Sequence, residues 1–421
     1  MGELAHLRPP IAPLVGREGL EARLAALTGL LLRAEPLWQG RPFEVLPLPW
    51  EADHRALSAW LRALPRARIE ALHADPAGLR DAPEPLPRLL AEVARLSVIG
   101  PLPAADLTEL PDPVDRVTGR KRAQVQSLAA VAAAALPEGT ELLVDWCCGK
   151  GHLGRTISAA SGLVTLGLER NPELCHTGRD LAASTDARCA FLPIDVLDAT
   201  RWPAVPPLRT GVVALHACGA LTDAATTFAL EGHARAVLLA PCCFHAVPLP
   251  FAPRSTPGRA AGLVWDAAAL RLPTLEEVVA PPAVRLRRRQ ERAWRLGLDL
   301  LLRESTGADR YTPLPPAPRG WHLGGFRAFV EDMAAAHALT LPPRWDPTRA
   351  EAAGHAREHL VAALGLVRGQ LRRPFELWLV IDRALRLAEA GWEVRVGTFC
   401  ARSATPRNLA IAAVHPAAVP R

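Results

Sequence analysis

Lysine is almost absent from this chain of 421 residues. Only Lys121 and Lys150 occur, although lysine and arginine together number 49, against 43 acidic residues. The formal net charge of +6 permits a polyanionic partner without requiring one. We interpret the arginine excess, with its abundant alanine, proline and glycine, as the coding bias of a GC-rich genome. The overall basic charge then says less about the binding partners of the protein, and the two remaining lysines say more.

Several features that define other classes of protein are also missing. No apolar run is long enough to span a bilayer, and no charged segment followed by an apolar core opens the chain. We therefore expect a cytoplasmic protein with no membrane partner. The eight cysteines cluster in mid-chain, unlike the framework of a small secreted domain, so reduced thiols are expected. No Gly-x-x-x-x-Gly-Lys-Ser/Thr motif and no classical dinucleotide spacing occurs.

A strand, a glycine turn and a helix are predicted around residues 142–160. The apolar run 142–144 is typical of a buried parallel strand. Apolar residues at positions 153, 157 and 160 share one helix face. Between them, Gly149 and Gly151 allow a ligand to approach the backbone closely, and the helix start offers unpaired N–H groups. The segment predicts a nucleotide-type binding turn.

Acidic residues follow three consecutive predicted strands. Asp145, Glu169 and Asp195 come after the apolar runs 142–144, 163–168 and 190–194. Since strand carboxyl ends lie side by side in a doubly wound sheet, we expect the three carboxylates to line one crevice. Glu169 is suited to accept the ribose hydroxyls and Asp195 an adenine amino group. An adenosine site without a phosphate motif indicates S-adenosylmethionine; the alternative is that these carboxylates cap helices or are surface charges.

Two later predicted strands, 212–215 and 236–240, end in reactive side chains. The first runs into His216-Ala-Cys-Gly-Ala-Leu-Thr-Asp223 and the second into Pro241-Cys-Cys-Phe-His245. We predict that His216 and His245 act as general base or position the acceptor, because neutral imidazole removes protons near pH 7. Each histidine has the alternative of a hydrogen bond to its own loop.

The cysteines at the strand ends have three interpretations. They are buried packing residues, they line a substrate pocket, or they hold a zinc ion or an iron–sulfur centre together with the imidazoles. Adjacent cysteines are not the usual Cys-x-x-Cys ligand spacing, so we assign no metal. The cysteines concerned are Cys147, Cys148, Cys218, Cys242 and Cys243.

Three motifs carry a family resemblance: residues 145–151, 216–223 and 241–245. Their order and spacing resemble a class I methyltransferase family that includes the methyltransferase-like domain of the glutathione S-transferase C-terminal-domain-containing protein and its bacterial relatives. The second and third motifs also resemble eukaryotic tRNA acceptor-stem ribose methyltransferases. The resemblance covers about residues 120–245 and returns at Ile381-Asp-Arg-Ala384 and the hairpin that follows.

The resemblance implies a fold and a set of site residues. The fold is an α/β class I methyltransferase (Rossmann-like) doubly wound sheet with an antiparallel last strand. Cys147 stands where the family's glycine loop usually has its first glycine. The expected cofactor residues are Asp145, Cys147, Gly149, Gly151, Glu169, Asp195 and His216, and the expected substrate residues are Lys150, Cys218, Asp223, Cys242 and Cys243.

The rest of the chain predicts helical additions. We expect a mainly helical accessory domain over residues 1–115, a methyltransferase domain over 116–421, and a helical insertion at about 246–372. Six arginines surround Trp294 within the insertion; such a helix can grip RNA phosphates and stack a base, although a solvated helix face is the favoured interpretation.

The sequence therefore predicts an S-adenosylmethionine-dependent methyltransferase that acts on RNA (tRNA or rRNA) and not on DNA. The alternatives are methylation of a protein or a small molecule, and a non-catalytic protein that binds S-adenosylmethionine and interacts with RNA.

Overall fold

The computed structural model describes residues 11–106, 117, 119–185, 187–275 and 281–418. Eight strands occur in this part of the chain: β1 (Leu14–Val15), β2 (Leu142–Trp146), β3 (Val164–Glu169), β4 (Cys189–Pro193), β5 (Thr210–Cys218), β6 (Ala236–Cys242), β7 (Glu393–Thr398) and β8 (Leu409–Val414).

The described α-helices number fifteen. They are α1 (Gly16–Arg33), α2 (Glu35–Gln39), α3 (Arg55–Arg62), α4 (Arg66–Ala74), α5 (Leu86–Ser97), α6 (Gly119–Ala135), α7 (His152–Ser161), α8 (Pro172–Ala183), α9 (Ala220–Phe228), α10 (Thr256–Ala260), α11 (Ala267–Arg271), α12 (Pro282–Thr306), α13 (Gly325–Ala336), α14 (Pro347–Gly369) and α15 (Arg372–Glu389).

The strands form one sheet in the order β1-β7-β8-β6-β5-β2-β3-β4. Strands β4, β3, β2, β5 and β6 are parallel, whereas β8 is antiparallel to β6 and β7 is antiparallel to β8. The chain runs outward from β2 to β4 and returns to β5, so the strand order reverses between β2 and β5. The predicted doubly wound sheet with an antiparallel end is confirmed, and ligands of such sheets bind outside the carboxyl ends at this reversal.

The central strands are apolar because both faces of the sheet are covered. All seven residues of β6 are buried, as are the first five of β5. Helices α6 and α7 pack on the sheet through a shared cluster that includes Leu128, Leu153 and Leu143. This continuous burial explains why short apolar runs, rather than alternating patterns, mark these strands in the sequence.

The sheet edge beyond β7 was not predicted from the sequence. Leu14 and Val15 pair antiparallel with Val396 and Arg395. The neighbouring segment around Gly100 also bonds to this region, since the amide of Thr398 donates to the Gly100 carbonyl at 2.9 Å. A strand of two residues has no periodicity, so only its long-range partner reveals it.

The chain groups into two compact units. The first contains residues 1–32, 94–276 and 372–421, which include the whole sheet, and the second contains residues 33–93 and 277–371. The predicted boundary at residues 115–116 lies outside the described residues. The N-terminal helical region is divided between the two units, because α14 packs against α2, α3 and α4 as well as α12.

The basic helix α12 belongs to the second unit. Trp294 is only 6% exposed, packs with Phe326 and Phe329, and donates its indole N–H to Glu351 Oε1 at 2.7 Å. This ring is therefore core and does not provide a surface for stacking a base. Of the described helices, none combines the length and the apolar character needed to cross a membrane.

Candidate cofactor and catalytic site

The glycine turn after β2 contains two glycines with different surroundings. Gly149 and Gly151 both have positive φ angles, of 58° and 68°, a region that glycine occupies at little cost. A Cβ added at Gly149 would meet no atom within 4 Å, whereas one at Gly151 would lie 2.6 Å from the Phe191 ring. Gly151 is therefore required for packing, and Gly149 leaves open space above the backbone that fits a close-lying cofactor.

Asp145 is bonded to the start of the helix that follows this turn. It is only 2% exposed, and its Oδ2 accepts a hydrogen bond from the Gly154 amide at 2.9 Å in the first turn of α7. Burial raises the pKa of the Asp145 carboxyl to about 7, against the opposing effect of the Gly154 hydrogen bond. The structure thus shows a bracing contact, and a direct contact of Asp145 with the cofactor stays a prediction.

Glu169 lies at the end of β3, beside the turn. Its Oε2 accepts from the Gly149 amide at 3.0 Å and its Oε1 from the Asn171 amide at 2.9 Å. These two bonds fix a half-buried carboxylate next to the open space above Gly149. The position is suited to ribose hydroxyls, as predicted for the second strand end.

Asp195 follows β4, the next strand of the sheet. Its Oδ1 accepts from the Leu197 amide at 3.0 Å, and its Oδ2 lies 3.7 Å from an Arg170 nitrogen. Strand β4 pairs in register with β3, with Pro193 opposite Glu169. The carboxylates at 169 and 195 therefore follow neighbouring strand ends, as the sequence predicted.

His216 lies in an irregular part of β5. Its φ of 68° is left-handed, and the register with β6 shifts between Leu215 and Cys218. Its Nε2 is 2.6 Å from Gln124 Oε1, and the Gln124 amide nitrogen donates to the Ala404 carbonyl at 3.0 Å. Since the Gln124 oxygen can only accept, His216 Nε2 carries the proton and Nδ1 retains its lone pair.

Burial and nearby cations keep this imidazole neutral. Burial lowers the pKa of His216 most strongly, Arg407 and Lys121 lower it further, and Cys243 acts in the opposite direction. Burial also lowers the pKa of His152, to about 4, with contributions from Arg155, Lys121 and Lys150. The positive charges of both lysines therefore act on histidines of this site: Lys121 on His216 and His152, and Lys150 on His152.

Three cysteines form a compact cluster at the ends of β5 and β6. The Sγ atoms of Cys218, Cys242 and Cys243 all lie within 4.8 Å of one another, and Cys218 Sγ is 3.2 Å from Cys242 Sγ. Hydrogen bonds from Cys218 and Cys242 lower the pKa of Cys243 well below the usual thiol range, and His245 and Arg407 add to this effect. The same contacts raise the pKa of Cys242, so Cys243 is the thiol of the cluster whose anionic form its neighbours favour.

The backbone at the cluster is strained. Cys243 has a φ of 44°, and a non-glycine residue in such a sparsely populated region costs of order 1–3 kcal/mol. Cys147, in the turn after β2, has a φ of 57°. A non-glycine residue with a left-handed φ thus lies close to the carboxyl end of each of the strands β2, β5 and β6. These residues are Cys147, His216 and Cys243.

The thiols of the glycine turn differ chemically from Cys243. Burial, followed by the charge of Glu169, raises the pKa of Cys147 to about 12. Burial also raises the pKa of Cys148. Both residues therefore remain protonated near neutral pH and are poor nucleophiles.

Asp223, predicted to contact substrate, takes part in an ion-pair network. Its Oδ2 lies 2.6 Å from Arg254 Nη2 and its Oδ1 3.1 Å from Arg383 Nε. The Arg383 guanidinium lies over the Phe244 ring at 5.4 Å. The contacts shown hold the segment after β6 in place, and a substrate contact from Asp223 stays a prediction.

Asp382 anchors the same segment from α15. Its carboxylate accepts from the Arg254 amide at 2.7 Å and from the Ser255 amide at 2.9 Å. Asp382 lies in the string 381–384 that carried part of the family resemblance, yet its partner segment could not be named from the sequence. Gln124 and Arg407 were missed as well, because their only signals are tertiary: Gln124 forms a hydrogen bond with His216, and the charge of Arg407 acts on it.

Comparison with known proteins agrees with this geometry. Residues 120–248 match a family model described as a methyltransferase domain. Together with the doubly wound sheet, this match indicates a methyltransferase domain over these residues, for which S-adenosylmethionine is the expected cofactor. The narrower likeness to the glutathione S-transferase-related and tRNA families stays a prediction.

Solved structures that resemble the chain include methyltransferases of several kinds. A TehB-like SAM-dependent methyltransferase from Corynebacterium glutamicum is 15% identical, with a TM-score of 0.22 over 27% of this chain and 60% of that one. Magnesium protoporphyrin IX methyltransferase from Synechocystis, with bound SAH, is 16% identical, with a TM-score of 0.23 over 30% and 61%. The chain thus covers less than two thirds of either structure. No curated protein matches the sequence.

Proposed function

We propose that this methyltransferase acts on RNA, in tRNA or rRNA, with His216 as the general base. The observation that carries the proposal is the convergence of cations on the His216 end of the site. Lys121 and Arg407 both lower the pKa of His216, and Lys121 and Lys150 both lower that of His152. In a chain that otherwise uses arginine, both lysines act on the same histidine, and cations grouped in this way are suited to bind phosphates.

Residues at different strand ends are suited to bind different parts of the cofactor. Glu169 is suited to accept the ribose hydroxyls, Asp195 to accept the adenine amino group, and Gly149 to allow close approach of the methionine part. When bound, S-adenosylmethionine supplies a methyl group on a sulfonium and leaves as S-adenosylhomocysteine. The protein's task is in-line placement of the acceptor and removal of its proton.

His216 is suited to take that proton at Nδ1. Gln124 holds Nε2 as the donor, so the free lone pair is on the other nitrogen. With the cofactor bound, Nδ1 would take up the proton that the acceptor oxygen or nitrogen loses on methylation. The lowered pKa keeps the imidazole neutral and competent near pH 7.

Labelled methyl transfer to RNA tests the proposal. RNA from a strain lacking the gene is incubated with enzyme and labelled S-adenosylmethionine, and the label is scored before and after ribonuclease. We expect ribonuclease-sensitive label. Label that survives ribonuclease, or confirmed cofactor binding with transfer only to protein or a small molecule, would contradict an RNA acceptor.

The salt dependence of RNA binding tests the role of the lysines. Replacing Lys121 or Lys150 by Gln is expected to weaken RNA binding and to reduce the slope of log K against log salt by about 0.7–0.9 per lost phosphate contact. Arg209→Gln is the matched control, because Arg209 is also exposed, pairs with Glu141, and precedes β5 at the opposite strand end. Equal effects of the three substitutions would contradict a specific phosphate site.

A further inference from the structure

We propose that Cys218, Cys242 and Cys243 bind a Zn²⁺ ion, with His245 as the fourth ligand. The proposal does not depend on the acceptor proposed above. It starts from the compactness of the cluster, in which the three Sγ atoms lie within 4.8 Å of one another. Two of these cysteines are only partly buried, unlike thiols that serve as core packing.

The sulfur positions fit tetrahedral coordination. A zinc–sulfur distance of about 2.3 Å places two thiolates of one tetrahedral site roughly 3.8 Å apart. The observed separations include 3.2 Å between Cys218 and Cys242, and the limit of 4.8 Å applies to the full set. Small side-chain rotations therefore bring all three sulfurs to bonding distance from one ion.

Backbone irregularities bring these thiols together. Along a regular strand, the adjacent side chains of Cys242 and Cys243 would point to opposite faces of the sheet. The left-handed φ of 44° at Cys243 ends that alternation, so both sulfurs enter one cluster. In β5, the register shift between Leu215 and Cys218 pairs Cys218 with Cys242. The unusual adjacency of the cysteines is thus no obstacle to a shared ion.

His245 provides an independent indication of a ligand. It lies two residues after Cys243, and among the described residues its buried Nδ1 has no hydrogen-bond partner. A buried polar atom without a partner is costly and is rare in folded proteins. His245 lies outside the group whose ligand atoms fall within 4.8 Å of one another, so its imidazole must turn towards the sulfurs. A metal bond to Nδ1 would then satisfy this nitrogen and complete a Cys₃His set, which is a common zinc site.

Binding is a simple exchange of protons for metal. Each coordinating thiol enters as a thiolate, and any proton it carried is released to solvent. The imidazole binds through a neutral nitrogen. Zinc keeps its oxidation state, so no oxidant or reductant is required.

Metal analysis of the whole protein tests the site. Full-length protein is purified with a phosphine reductant and without chelator, and ZnCl₂ is titrated against a chromophoric competitor. We expect one zinc per chain. Co²⁺ in place of zinc should give a sulfur-to-cobalt charge-transfer band with the intensity of three thiolates. This spectrum uses the unaltered protein, so it does not depend on whether a variant folds.

Matched substitutions locate the ligands. Cys243→Ser is expected to weaken zinc binding at least as much as loss of an outer-shell partner, on the order of 100-fold, and to reduce the charge-transfer band. His245→Ala should weaken zinc binding while the band retains its intensity. Cys400→Ser, at another partly buried cysteine outside the cluster, should change neither.

Several results would overturn the proposal. They are an absence of stoichiometric zinc in reduced protein, a cobalt spectrum without thiolate charge transfer, and full zinc affinity in Cys243→Ser. Unchanged affinity in His245→Ala would overturn the assignment of the fourth ligand. A Cys218–Cys242 disulfide that persists under the reductant and excludes zinc would likewise contradict the site.

Discussion

Substituting alanine for each glycine of the turn separates packing from cofactor binding. Gly149 and Gly151 have similar left-handed φ angles, of 58° and 68°, so alanine pays a similar backbone cost at both, about 1–2 kcal/mol. Their surroundings differ, because only the Cβ at residue 151 would meet the Phe191 ring, at 2.6 Å.

The steric difference sets the expected magnitudes. Overpacking a filled site costs typically about 1–3 kcal/mol, so Gly151→Ala should lose that much more unfolding free energy than Gly149→Ala. Gly149→Ala should unfold only about 1–2 kcal/mol more easily than the unaltered protein. It should nevertheless bind S-adenosylmethionine far more weakly, since its methyl group enters the open space above the turn.

Urea unfolding and calorimetric titration with S-adenosylmethionine measure the two quantities. Denaturation midpoints compared at equal slope give the change in stability. Equal stability losses in the two variants would refute the packing argument at Gly151. Unchanged cofactor affinity in a folded Gly149→Ala protein would refute the placement of the cofactor above the turn.

Three further predictions follow from individual contacts. Asp195→Ala should weaken S-adenosylmethionine binding by about 1.5–3 kcal/mol, the usual worth of a hydrogen bond to a charged group, and unchanged calorimetric affinity would remove Asp195 from the site. Because the folded-state pKa of His216 is lowered, the rate of methyl transfer should not change with pH near neutrality and should fall only below the ordinary histidine pKa of about 6.5. The free energy of unfolding should also begin to decrease below that pH, because the unfolded chain takes up a proton that folded His216 does not. A rate loss that begins above pH 7 would argue against His216 as the base. Asp382→Ala should destabilise the protein in urea unfolding by about 1–3 kcal/mol for each buried donor left unsatisfied, because two amides and the Ser255 hydroxyl lose their acceptor. Asp198→Ala, which removes an exposed cap on the Thr200 amide, should cost only about 1 kcal/mol.

The strand–turn–helix unit and the order of the strand ends were predictable from the sequence. Apolar runs, glycines and acidic residues are local signals, and each central strand was predicted within a few residues of its observed bounds. The antiparallel pair at the end, β7 and β8, was predicted in the same way. These features were readable because a strand buried on both faces has an apolar segment whatever surrounds it.

Other features depend on contacts between distant parts of the chain. Strand β1 exists only because β7 offers it an edge. The Trp294 ring of the arginine-rich helix is core because Phe326 and Phe329 cover it. Neither partner can be deduced from composition or periodicity.

The site itself shows the same division. The sequence alone determined which reactive residues follow which strand, because that depends on local hydrophobic pattern and chain order. Only the tertiary structure decided that Gln124 holds His216, that Asp145 braces α7, and that a left-handed φ turns Cys243 towards Cys218. Side-chain direction and partner depend on backbone angles and register set by packing across the whole sheet, and no local stretch of sequence encodes them.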